Sequence, residues 1–292
     1  MEKLVDFENS LYSKNPQFDM VEILDMAFWV NRLITLPCLR PFCLDHVVRL
    51  CCEYCSNIEF REMILKAAMD YCPVLVYRMY KCGVFSFQDI EHHLSNELYY
   101  IHPFYFRKCI DNFNKYIETK IKPLDNQDLS ECCDNDIDLM IEYGFKPSSA
   151  EYCMKYDDLE GLTKVLSDSQ QLILPERAKW SQFEWTKKPS FLDYLSFSGY
   201  FGSVKCFKHL MMIGYSINDN VRQSVIFSGD FDLFHLVNSG VNDFSSQIGL
   251  AAGFCHISLL EFLINNEGNV DSLSPNVIYI FLMKHPFNMP SH

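Results

Sequence analysis

An all-α fold of stacked helix–turn–helix units is what this sequence predicts, on three observations. One short pattern is laid down four times in the C-terminal half. Apolar residues recur at three-and-four spacing along most of the chain, the signature of helices with one buried stripe. Glycines and pairs of small residues stand where such units have to turn and approach one another.

The four copies are SSAEYCMKYDDLEGLTKVL (148–166), DYLSFSGYFGSVKCFKHLMMIG (193–214), NVRQSVIFSGDFDLFHLVNSG (220–240) and SQIGLAAGFCHISLLEFLINNEG (246–268). Asp157, Gly202, Gly229 and Cys255 fall at one register, the last three 27 and 26 residues apart. A short helix with small residues (Ser198–Gly199, Ala251–Ala252) precedes each register position, and an apolar helix follows, ending near Gly214, Gly240 and Gly268. A period of this size means repeated two-helix units that stack because none buries its apolar face alone. Gly202 and Gly229 suit a left-handed turn after the first helix. Asp157 tolerates that conformation, whereas Cys255 would pay about 1–2 kcal/mol of strain. Close approach at the small pairs lets Leu210, Leu236 and Leu263 bury their side chains, each worth roughly 1.5–3 kcal/mol.

These residues carry a family resemblance. The run KPSFLDYLSFSGYFGSVKCFKHLMMIGYSIN, followed by SGDFDLFHL, resembles the short-period ankyrin-repeat proteins of trichomonad-type parasitic protists. IEYGFKPSSAEYCMKYDDLE and KWSQFEWTKKPS are similar to the same family. The resemblance covers most of residues 60–270 and is strongest over 140–265. It implies an ankyrin-like α solenoid acting as an interaction scaffold, and it carries over no catalytic or cofactor residue. Full-length ankyrin repeats run to about 33 residues with a hairpin finger. The shorter spacing here predicts vestigial fingers, leaving partners to be read by the exposed side of the first helices.

Earlier in the chain, residues 19–34 keep helical spacing behind Asp19, a candidate N-cap. Residues 44–55 do the same with an Asp near the start. The run 62–83 places Ala67–Ala68 fifteen residues before Gly83, which suggests a degenerate repeat with Tyr71 at the register position and the same strain penalty as Cys255. Residues 132–144 read as a second helix ending on Gly144. The domain organisation expected is an N-terminal helical region over 1–125, ankyrin-like repeats over 126–270 with an insert at about 168–190, and a degenerate cap or tail over 271–292. The insert carries Trp180, Phe183 and Trp185 beside Lys179, Lys187 and Lys188. It either docks a partner or folds back to cover apolar surface, and the burial preference of tryptophan favours the second.

Composition narrows the function. With 49% apolar and 15% aromatic residues the chain can bury a core. Its net charge of −13 repels phosphates and argues against nucleic acid. Residues 125–160 hold eleven acidic side chains against Lys146 and Lys155, a field that would attract basic protein surfaces. The acidic start MEKLVDFENSLYS is unlike a secretory signal, and no 18-residue uncharged apolar run occurs. The thirteen cysteines therefore read as reduced, core-filling thiols of a cytoplasmic or nuclear protein.

Two constellations could carry chemistry. Cys51, Cys52 and Cys55 follow His46, but no second CxxC completes a zinc tetrahedron. Glu91, His92 and His93, with His102 nearby, lack the HExxH spacing, and adjacent helical residues point about 100° apart. No phosphate-cradling or nucleophile-elbow motif occurs. Expectations are therefore no catalytic, cofactor or metal residue, no cofactor, and a monomer. The function expected is a non-enzymatic protein–protein scaffold with a concave helical face. The alternatives are a target-recruiting adaptor, for instance of a ubiquitin ligase, and, less favoured, a metal-dependent or thiol enzyme. Tyr156, Tyr200, Phe201, Phe227 and Phe254, recurring just before the register position, are the candidate partner-binding groove. The competing reading is that these rings fill space between units.

Overall fold

The computed structural model describes residues 26–39, 41–94, 102–111, 113, 115–116, 133–168, 177–186, 188–189, 193–239, 245–254 and 256–267. Among the described residues every regular element is helical, and no helix is long and apolar enough to cross a membrane. The chain forms two compact units. One lies mainly within Asp19–Pro147 and takes in Ser181–Lys188; the other lies mainly within Ser148–Trp180 and Pro189–His292. The boundary at Pro147/Ser148 places the 134–143 helix with the N-terminal unit.

In the N-terminal unit the helices are α1 (Met26–Leu39), α2 (Leu44–Tyr54), α3 (Ile58–Tyr71), α4 (Pro73–Lys81), α5 (Phe87–Leu94), α6 (His102–Tyr105) and α7 (Asp134–Tyr143). The expected helix over 19–34 is found from Met26 onward; its proposed cap, Asp19, lies outside the described residues. The 62–83 run is two helices, because Pro73 lacks an N–H and starts a new helix at its first position. Cys72 makes the turn with φ −147° and ψ +67°, so Tyr71 needs no left-handed backbone and the strain expected there is absent. Gly83 and Gly144 follow α4 and α7 with φ of +77° and +85°, as helix-terminating glycines should. The unit is held by an aromatic cluster in which Phe106 meets Tyr77 and Tyr80 edge-on, and Phe183 meets Phe104 and Tyr105 edge-on.

Among the described residues the C-terminal unit has four helix pairs: α8 (Ala150–Lys155) with α9 (Leu159–Asp168), α10 (Tyr194–Phe201) with α11 (Val204–Met212), α12 (Asp219–Ser228) with α13 (Phe231–Val237), and α14 (Ser245–Gly253) with α15 (Ile257–Glu267). The first helices pack in chain order, α8 on α10, α10 on α12 and α12 on α14, and α9 packs on α11. Local chemistry starts α8, α10 and α12. The side chains of Ser149, Asp193 and Asn218 accept the N–H groups of Tyr152, Ser196 and Val221, which the helix leaves unpaired. Gly202 (φ +71°) and Gly229 (φ +70°) end α10 and α12 in the left-handed region, and Asp157 adopts φ +53° at the equivalent place. Cys255, Gly240 and Gly268 lie outside the described residues.

Close approach of the first helices is real and local. A Cβ on Gly199 would stand 2.4 Å from Ser224 Oγ and 3.2 Å from Val225 Cγ1, so only glycine fits between α10 and α12 there. Leu210 and Leu263 are fully buried, as expected. Leu236 is exposed instead; α13 turns Leu233, Phe234 and Val237 inward, three and four residues apart on the opposite stripe.

Candidate functional site

The turns between paired helices are where successive pairs touch. Asp157 Oδ1 accepts the backbone N–H groups of Lys205 (2.9 Å) and Cys206 (3.0 Å), so a carboxylate of the first pair caps α11 of the second. The local cap candidate, Ser203, makes no side-chain cap; its hydroxyl donates to the Met154 carbonyl of the preceding pair. A Cβ on Gly202 would meet Ser228 Cβ at 3.3 Å, on the next turn along. At Gly229 a Cβ would lie 2.2 Å from His256 Nδ1, because the imidazole lies flat against that turn. His256 Nε2 is 2.8 Å from the Phe227 carbonyl oxygen. A carbonyl only accepts, so that nitrogen carries the proton. The residue after the register position thus reaches back to the previous first helix in both the second and the fourth pair.

The five candidate groove residues have different surroundings. Tyr200, Phe201 and Phe254 are buried, Phe227 is half-buried and Tyr156 is exposed. Phe227 links its neighbours, with ring centroids 5.5 Å from Tyr200 and 4.3 Å from Phe254. Tyr156 pairs with Tyr152 at 4.7 Å, and the buried Lys155 ammonium sits over both Tyr156 (5.5 Å) and Phe201 (5.9 Å). Tyr200, Phe227 and Phe254 therefore run as a ladder from one pair to the next, and the Lys155 ammonium links Tyr156 to Phe201. Of the five candidates, Tyr156 and Phe227 are the ones that reach solvent.

Sequence reasoning favoured a fold-back of the insert but did not say which helix it covers. Trp180 packs its indole against Phe197, Tyr200 and Phe201, with centroids 5.7, 5.8 and 6.0 Å away. Its neighbour Lys179 donates its backbone N–H to Glu151 Oε1 at 2.8 Å, and Tyr194 Oη lies 3.2 Å from the same oxygen. Burial together with this carboxylate pushes the Tyr194 hydroxyl well above its usual value. The available signal was the aromatic and basic composition of the insert, and of its two readings the fold-back over apolar surface is the one Trp180 adopts.

The acidic stretch is a less open field than its sequence suggests. Asp136 pairs with Lys146 (2.9 Å), Asp138 with Arg107 and Lys108 (2.7 and 2.6 Å), and Glu142 with Arg78 (2.6 Å). Glu151 is buried and Asp157 is a cap. Among the described residues of this window, Asp134, Asp158 and Glu160 are the exposed acidic members.

The cysteine and histidine constellations do not converge. Among the described residues no group of three or more His, Cys, Asp or Glu side chains is placed to hold a metal ion. Cys51 is buried and its thiol is pushed well above the usual range by burial, then by Cys55 and Cys52. Burial likewise raises Cys55 and Cys206 to about 12 and Cys52 and Cys153 to about 11, which keeps them protonated and weakly nucleophilic at neutral pH. Cys38 moves the other way, lowered by a hydrogen bond from the Cys72 thiol against the opposing effect of burial.

Comparison with known family models, with curated proteins and with solved structures finds no match to this chain.

Proposed function

We propose that this chain is an ankyrin-like repeat protein that binds another polypeptide along the solvent-facing stripe of its first helices. One observation supports the reading: the first helices pack in chain order, α8 on α10, α10 on α12 and α12 on α14, as the first helices of stacked repeats would. A surface built by repetition is suited to reading an extended segment, because each pair offers one similar contact. Tyr156, Gln223, Phe227 and Gly249 are the described positions of that stripe that reach solvent. Exposed aromatic rings backed by a rigid ladder lose little conformational freedom on binding, which is what makes aromatics effective anchors.

Selection from a random peptide display library, with the full chain immobilised, tests this. Wild type should enrich related peptides, and Gln223→Arg and Tyr156→Ser, both on exposed positions, should lose them while melting at an unchanged temperature. Enrichment that survives both substitutions overturns the assignment of the face.

A further inference from the structure

The second pair differs from its neighbours in a way that the repeat itself does not explain. Every residue of α10, from Tyr194 to Phe201, is buried. A helix packed on α8, α11 and α12 has three sides covered and should keep a fourth open. The equivalent helix 27 residues on does keep it: Gln223 is exposed and Phe227 half-buried, where their counterparts Ser196 and Tyr200 are 0% and 3% exposed. The counterpart of Phe201 in the preceding pair, Tyr156, is exposed as well. At Tyr200 and Phe201 the difference has a local cause. Phe197, Tyr200 and Phe201 lie three and four apart on one stripe, and Trp180 covers that stripe. The segment carrying it is latched by the Lys179 N–H to the Glu151 carboxylate, and Ala178 beside it is buried.

We propose that residues 177–180 form an autoinhibitory strap, a ligand held in cis on the part of the partner-binding face that α10 contributes. This rests on the binding face assigned above. The strap also states the chemistry of the partner that displaces it. That partner is a short extended polypeptide segment with a bulky aromatic anchor, which fills the place of the Trp180 indole. Next to the anchor it offers a backbone N–H to the Glu151 carboxylate. Binding to the closed form is weakened by the fraction of time the strap is seated, and any change that unlatches it raises apparent affinity by the same factor.

The test uses the full chain and a fluorescent peptide of its own residues 177–182, RAKWSQ, read by anisotropy. Trp180→Ala should bind this peptide at least tenfold more tightly than wild type does. A peptide with alanine in place of the tryptophan should bind the variant at least tenfold more weakly, and Trp180→Phe should restore the closed behaviour. Lys179→Pro, which removes the latching N–H and keeps the indole, should also open the face and serves if Trp180→Ala fails to fold. Absence of peptide binding to folded variants of both kinds overturns the strap, as does equal binding to wild type. The two proposals fail separately. Library peptides enriched equally by wild type and Trp180→Ala sink the strap and leave the binding face standing. If Gln223→Arg and Tyr156→Ser still enrich the wild-type peptides, the face assigned to α8 and α12 fails, whatever the strap does.

Discussion

The two compact units spend their carboxylates differently. In the N-terminal unit Asp89, Asp136, Asp138 and Glu142 sit against Arg61, Lys146, Arg107 with Lys108, and Arg78 with Lys81. In the C-terminal unit Asp157, Asp158, Asp193 and Asp230 accept backbone N–H groups at helix starts. The first use joins elements far apart in sequence through side chains; the second defines where helices begin and, at Asp157, joins one pair to the next. A cap depends on backbone geometry that recurs with the repeat, so it recurs too. An ion pair needs two particular long side chains to meet, and no period fixes that.

The largest effect that separates the units is steric. Gly229 and Gly83 both adopt a left-handed backbone near +70°, yet a Cβ at Gly229 runs into His256 while nothing lies within 4 Å of one at Gly83. Gly83→Ala should cost about 1–2 kcal/mol from backbone conformation alone. Gly229→Ala adds overpacking at a joint between pairs and should cost about 3 kcal/mol or more. Denaturant midpoints of the two variants check this, and equal losses would mean that the joint is softer than its packing indicates. Next in size is Arg107, whose side chain is 7% exposed and which holds Asp138 together with the carbonyl of Asp134. Arg107→Met should cost about 2 kcal/mol, below the usual loss for a broken buried pair, because Lys108 still faces Asp138. Adding Asp138→Asn to Arg107→Met should then cost little more, which a double-mutant cycle would read.

Much of the C-terminal unit was legible because repetition reports tertiary neighbours. Asp157, Gly202 and Gly229 at one register foretold both the turns and their left-handed backbone, and the small pair Ser198–Gly199 foretold close approach of first helices. What stayed hidden was any contact lying outside the period. Trp180 reaches α10 from an insert, and nothing in its spacing says which helix it will cover. The direction in which α13 faces was misread at Leu236 because Leu233, Phe234, Leu236 and Val237 are all apolar, and a nearly continuous apolar run marks no side as inner. In the N-terminal unit the turn expected at Tyr71 falls at Cys72, just before Pro73, and the partners of Arg78 and Arg107 are 64 and 31 residues distant. Of the groove candidates, the sequence located the ring ladder, and only burial separates Tyr156 and Phe227 from the rings packed inside it.

A smaller effect sharpens the contrast between caps and ion pairs. Asp157→Ala removes a charge-assisted cap on α11 and leaves a non-glycine residue at φ +53°. It should cost roughly 1–2 kcal/mol. Asp157→Gly loses the same cap but relieves the backbone, so it should be the milder of the two, and Asp157→Asn, which keeps an acceptor oxygen, milder still. A reversed order of alanine and glycine in thermal melts would show that the turn, and not the cap, is what Asp157 supplies.

The smallest effect appears only with pH. Asp89 is held below the usual carboxylate range by the Ser86 backbone N–H and hydroxyl and by Arg61, and Asp136 by its hydrogen bond to Lys146. Burial pushes Asp138 up, but its hydrogen bond to Lys108 and the charge of Arg107 outweigh that and leave it lowered. A carboxyl lowered in the folded state binds its proton more readily when unfolded. Its contribution is therefore complete above the unfolded value of about 4 and is lost as the pH falls through the lower folded value. The destabilisation caused by Asp138→Asn should accordingly be largest at pH 7, shrink below about pH 4, and disappear once the wild-type carboxyl is itself protonated. A penalty unchanged between pH 7 and strongly acidic solution would mean that shape, and not charge, ties α7 to Arg107.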